Sequence, residues 1–154
     1  MSILKFELEI YAYNIDFNGH VSNIVYSEWM EIGRTKLLEA IAMPVYKIAQ
    51  EGFVPVLVST EISFKAPVHL GDRVSVELWV SELRHASAEM SFRFFKIDSS
   101  SSEDNSEKKS EEILVAIAKQ KGIFADPDTM QPYRLKPDQK QKFATYLHKD
   151  LHQE

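Results

Sequence analysis

At 154 residues, with 18 Lys and Arg against 23 Asp and Glu, the chain carries a formal charge of −5 and contains no cysteine. This excludes a disulfide framework, a zinc–thiolate centre and a cysteine nucleophile, and an acidic chain without a basic run is a poor nucleic-acid binder. The length fits a single domain, 1–154, that can bury its own core, and Lys5, Glu7 and Glu9 break up the opening segment, so neither a leader nor a membrane span is expected and a cytoplasmic protein is.

In chain order, Ile3, Phe6, Leu8, Ile10 and Ala12 alternate loosely with charged residues, which predicts a strand over 3–13 with one buried face. The turn-like stretch "IDFNGHVSNIVY" (15–26) follows. It leads into some twenty residues without proline, in which Val25, Trp29, Ile32, Leu37 and Ile41 recur at helical spacing opposite Glu28, Glu31, Thr35 and Glu39. Ser22 or Asn23 caps this predicted helix and Met43-Pro44 closes it.

From there the period falls to two. Four strands are predicted in "FVPVLVSTEISFKAPV", "DRVSVELWVSELR", "SAEMSFRFFKID" and "EEILVAIAKQKGIFA". The short connections "HLGD" (69–72) and "RHAS" (84–87) imply antiparallel neighbours on either side of each. The stretch 98–112 has nothing to bury and predicts a solvated loop inside the last hairpin. Phe143, Tyr146, Leu147 and Leu151 predict a terminal helix over 137–151. One long apolar helix among consecutive antiparallel strands gives an α+β architecture in which a curved sheet wraps around the helix.

The turn and the helix start contain Asp16, Gly19, His20, Val21, Asn23 and Tyr26 in the order Asp-x-x-Gly-His-Val-x-Asn-x-x-Tyr, with Glu31 and Arg34 further along. With "ISFKAPVHLGDRVSV" (62–76) and "IFADPDTMQPYRLKP" (123–137), this resembles the hotdog-fold thioesterases of the 4-hydroxybenzoyl-CoA thioesterase superfamily, in their small acyl-CoA thioesterase form. Two departures stand out: Asn14 occupies a position often acidic in that family, and Ser22-Asn23 replaces a common pair of asparagines.

The resemblance implies a hotdog fold and hydrolysis of a thioester carried on CoA or acyl carrier protein. The acyl group would be hydrophobic, either aliphatic or an aromatic one such as dihydroxynaphthoyl. Asp16 would be the catalytic carboxylate, as nucleophile or as base toward water, with no metal and no cofactor. The first backbone N–H groups of a helix lack intrahelical partners and can hold a developing oxyanion, which makes the Ser22 and Asn23 amides the candidate donors. Gly19, His20, Tyr26, Thr60 and Ser63 are the candidate substrate-binding residues, and Glu31 and Arg34, three apart, are expected either to pair on the helix surface or to lie at a subunit interface or substrate channel. The resemblance also implies a homodimer or homotetramer with active sites between subunits. A hotdog hydratase would need an acid–base pairing at spacings absent from this chain. A non-catalytic acyl-CoA-binding protein is the alternative from another class.

Overall fold

The computed structural model describes residues 2–97 and 111–149. It contains β1 (Leu4–Leu8), α1 (Asn23–Ala40), β2 (Val54–Phe64), β3 (Arg73–Leu83), β4 (Ser87–Ile97), β5 (Glu112–Ala125) and α2 (Pro137–Ala144). The strands form one antiparallel sheet in the order β1-β3-β4-β5-β2. Long β3, β4 and β5 curve around α1, the arrangement that the hotdog resemblance implies.

Helix α1 lies on this sheet through Val25, Tyr26, Trp29, Met30 and Leu37, packed with Val74, Val76, Leu78, Val80, Phe92 and Phe94. The approach is close because position 33 lacks a side chain: a Cβ on Gly33 would stand 3.1 Å from the Phe92 ring and 3.3 Å from Leu78. This moves the helix's buried face. Ile32, expected inside, is 39% exposed, while Met30 and Gly33 face the sheet. The other four expected apolar positions, Val25, Trp29, Leu37 and Ile41, are buried.

The first strand stops at Leu8 instead of running to residue 13. A 3-10 turn over Ala12–Asn14 replaces its end, because the Asn14 side chain accepts the Tyr11 N–H at 2.8 Å and bends the backbone. The 84–87 connection is a hairpin link between β3 and β4, as its length predicts. The 69–72 connection is not. β2 pairs with β5 and lies at the opposite end of the order from β1 and β3, so the link from β2 to β3 crosses the domain. Val68, at 1% exposure, is buried in that crossing, and its carbonyl accepts the Val21 N–H at 2.8 Å. The crossing segment is therefore tied to the start of α1.

The terminal helix is also shorter than expected. α2 ends at Ala144, and Leu147 then bridges to Val80, with the Tyr146 carbonyl accepting the Val80 N–H and the His148 N–H donating back to Val80. Residue 151 and most of the 98–112 stretch fall outside the described residues. No helix among the described residues is long and apolar enough to cross a membrane.

Candidate active site

The segment from Ile15 to Val21 is a small closed loop. Its ends pair as an antiparallel bridge, Asp16 N–H donates to the His20 carbonyl at 2.8 Å, and Gly19 N–H donates to the Asp16 carbonyl at 3.0 Å. Closing it requires a left-handed residue, and Gly19 supplies φ +79°. Inside the loop, Asp16 Oδ1 accepts the N–H groups of Asn18 at 2.9 Å and of His20 at 3.3 Å. Oδ2 accepts no hydrogen bond from a described residue. The loop thus fixes the half-buried carboxylate through one oxygen and leaves the other available.

The start of α1 adjoins this loop. Ser22 is the cap: its Oγ accepts the Ile24 N–H at 3.4 Å and its carbonyl accepts the Val25 N–H at 3.0 Å. Its own N–H donates to the Asn14 carbonyl at 2.9 Å. Ser22 N–H is therefore occupied by the fold, which corrects the expectation of two available amides. Asn23 is the first residue of the eighteen-residue helix, and its N–H has no partner among the described residues.

His20 is half-buried and pairs through its backbone with His69 on the crossing segment; the two rings meet edge to face at 4.9 Å. His69 is the residue that sequence reasoning missed. Its N–H donates to Asp72 Oδ2 at 2.9 Å, a local turn contact that gives no hint of His20. Only the crossover brings it there.

Tyr26 is buried among Trp29, Phe64 and Phe94, with ring centroids 5.0, 5.1 and 5.1 Å away. Burial pushes its phenol up to about 12, so it remains protonated within the core. Thr60 Oγ1 accepts from Gln120 Nε2 at 3.1 Å, and Gln120 Oε1 in turn accepts from Arg34. Ser63, an odd number of residues along β2 from Thr60 and Phe64, points to the other face of the sheet, away from Tyr26. Arg34 makes no ion pair with Glu31 among the described residues. It turns inward to Gln120, and desolvation lowers its guanidinium from the ordinary arginine range.

Beneath the C-terminal half of α1 lies an apolar chamber of about 240 Å³ between the helix and β2, β4 and β5. Leu37, Leu38, Val56, Met90, Phe124 and Phe143 line it, with Glu31 and Arg34 on the helix side. The eleven residue steps from Asn23 to Arg34 span about 16 Å of helix, so within one chain the Asp16 loop and the chamber lie at opposite ends of α1.

Residues 11–143 match the model of the thioesterase-like superfamily, and the chain belongs to that family. It is 30% identical over 82 residues to the Bacillus subtilis (strain 168) protein named "Putative acyl-CoA thioesterase YneP", a match spanning 53% of this chain and 59% of that one. It is 27% identical over 145 residues to the chloroplastic acyl-acyl carrier protein thioesterase ATL3 of Arabidopsis thaliana, spanning 94% of this chain and 69% of the relative. In structure it resembles the DHNA-CoA thioesterase of Staphylococcus aureus with a TM-score of 0.77 at 18% identity, covering 94% and 91% of the two chains. The last likeness supports the hotdog fold.

Proposed function

We propose that the protein hydrolyses acyl thioesters carried on CoA or acyl carrier protein, with Asp16 as the catalytic carboxylate and the Asn23 amide as the oxyanion donor. The observation that carries this reading is the presence, seven positions apart, of an Asp16 Oδ2 and an Asn23 N–H at the start of a long helix, neither with a hydrogen-bond partner among the described residues. A thioester carbonyl whose oxygen rests on Asn23 N–H receives a preorganised donor reinforced by the helix dipole. Asp16 then either attacks the acyl carbon, forming an anhydride and releasing the thiolate, or takes a proton from the water that attacks. Gly19 holds the loop shape, His20 and Tyr26 wall the site, and neither side chain is assigned a proton to move. Membership of the thioesterase-like superfamily supports the reaction class, and the two named relatives support an acyl group on either carrier.

The active unit in this reading is a pair of chains. β2 is an edge of the sheet, and Leu57, Val58 and Phe64 along it are exposed. Phe17, beside the catalytic carboxylate, is 97% exposed and Ile24 is 72% exposed. Open strand edges and apolar patches of this kind are covered in stable proteins. A second copy pairing along β2 would cover both and place each Asp16 between subunits.

The test is release of thiol from a panel of aliphatic and aromatic acyl-CoAs and acyl carrier protein thioesters, with Asp16→Asn and Asp16→Ala alongside. Tight binding without turnover by the wild type would convert the reading to an acyl-CoA-binding protein. Full activity in both variants would remove Asp16 from the chemistry. Single-turnover hydrolysis in heavy-oxygen water separates the routes, because anhydride formation first places an ordinary oxygen from Asp16 in the product.

A further inference from the structure

We infer that the chamber under the C-terminal half of α1 seats the acyl group, that it selects an aliphatic chain of medium length, and that Phe143 sets the length limit. The inference rests on the thioesterase reading and sharpens its substrate.

The chamber opens to solvent, holds about 240 Å³ and is lined mainly by apolar side chains, the make-up of a small-ligand pocket. The exposed lining residues Glu31, Val45 and Leu57 mark its opening, whereas Leu37, Val80, Phe124 and Phe143 are buried and mark its floor. No side-chain hydrogen-bonding group lies among those floor residues. Glu31, Arg34 and Thr35 place polar groups on the helix side, so it is hydroxyls carried down to the floor that would go unpaired, whereas a hydrocarbon chain has none to pair. Since a cavity of about 150 Å³ accepts a benzene ring, the same ratio gives this one room for about ten carbon atoms.

The closed end is a built feature. Phe143 comes from α2, packs on Phe124 with centroids 5.2 Å apart, and is held by the anchoring of that helix. Gln139, one turn earlier and buried, accepts the Lys136 N–H at 2.9 Å and donates to the Glu51 carbonyl at 2.9 Å. Part of the floor is thus supplied by α2, a segment outside the sheet that is packed on β5 through Phe124, so a change at Phe143 can alter depth without changing a strand residue.

Geometry also indicates how the chain arrives. Phe64, which packs on Tyr26 near the catalytic loop, and Leu57, at the chamber opening, lie at opposite ends of β2. Two copies paired antiparallel along that strand would bring the Phe64 end of one against the Leu57 end of the other. The thioester held at Asp16 of one copy would then point its acyl chain into the chamber of the second copy.

The experiment measures kcat/KM for saturated acyl-CoAs of roughly four to sixteen carbons and for a hydroxylated aromatic acyl-CoA. The wild type should peak at about eight to ten carbons. Phe143→Ala should move the peak to longer chains, and Ala88→Leu, which fills the chamber from β4, should move it to shorter ones. Each methylene that no longer fits should cost about tenfold in kcat/KM. Circular dichroism melts establish that each variant folds; should Phe143→Ala fail, the Ala88→Leu profile decides. A wild type that prefers the aromatic thioester, or an Ala88→Leu profile unchanged from it, would overturn the proposal. Calorimetric binding of free decanoate separates this from failure of the thioesterase reading. Decanoate binding weakened about tenfold by Ala88→Leu, with no thioester turned over, would retain the chamber and discard the chemistry.

Discussion

The two ends of α1 are built from different materials. At the N-terminal end, a closed loop and a helix start position a carboxylate and an amide almost entirely by backbone hydrogen bonds, from residues within ten positions of one another. At the C-terminal end, side chains from α1, β2, β3, β4, β5 and α2 line an open pocket. Backbone geometry tolerates little variation in where its groups point, whereas a cavity changes shape with each side chain in its wall. One end is suited to holding a reaction geometry and the other to setting which acyl group is accepted. Substitutions at the first should therefore change kcat, and those at the second the substrate profile.

The largest effect is expected at Asp16. In the proposed reading Asp16→Ala removes the group that attacks the acyl carbon or activates water, and kcat should fall by about 10³ or more, within the range for loss of a positioned base or nucleophile. The loop should survive in weaker form, because its backbone bonds between Asp16 and His20 and between Gly19 and Asp16 remain. A thermal melt beside the kinetics separates the two effects. A loss of rate matched by loss of fold would assign Asp16 to the loop alone.

Asn23→Pro isolates the oxyanion donor. Proline is at home in the first helical turn, and Ser22 before it already has φ −62° and ψ 143°, which a following proline favours. The substitution deletes one N–H that has no partner among the described residues. A drop of about 10²–10³ in kcat with a nearly unchanged melting temperature is expected, as for other single oxyanion donors. Unaltered kcat would move the oxyanion site elsewhere.

The contrast also explains how much was legible in the sequence. Period-two and helical patterns located α1 and the β-strands, and the Asp16 turn was readable because its contacts are local. What depended on distant pairing was not. Gln120, eighty-six residues from Arg34, draws that arginine inward from its expected pairing with Glu31. The Asn14 carbonyl takes the Ser22 N–H only because the 3-10 turn brings the two together. The chamber needs β2 beside β5 and not beside β3, and the short "HLGD" connection suggested the reverse.

Tyr26 gives a smaller prediction, one of stability. Its phenol rises from an ordinary value near 10 to about 12 because burial disfavours the phenolate. Between those values the folded chain holds a proton that the unfolded chain has lost. Its contribution is fully present below pH 10 and disappears as pH rises toward 12. Two units correspond to about 2–3 kcal/mol, an upper figure for a group packed in the core. Tyr26→Phe should flatten that part of the stability–pH curve in denaturant titrations. Identical curves for wild type and variant would mean that the phenol is solvated.

The smallest effect, at Gly19, tests the claim that the catalytic end is a matter of backbone. A Cβ at Gly19 would meet nothing within 4 Å, so substitution there carries no steric penalty against neighbours. What remains is φ +79°, which an L-residue adopts at a cost of about 1 kcal/mol. Gly19→Ala should therefore lower stability by about that amount, or shift the loop to relieve it. Because the Asn18 and His20 N–H groups that hold Asp16 Oδ1 flank this residue, a shifted loop would lower kcat more than it lowers the melting temperature. Gly19→Asn should recover part of both losses, since asparagine enters the left-handed region more readily than alanine. If the two variants behave alike, the left-handed conformation is not what positions the carboxylate.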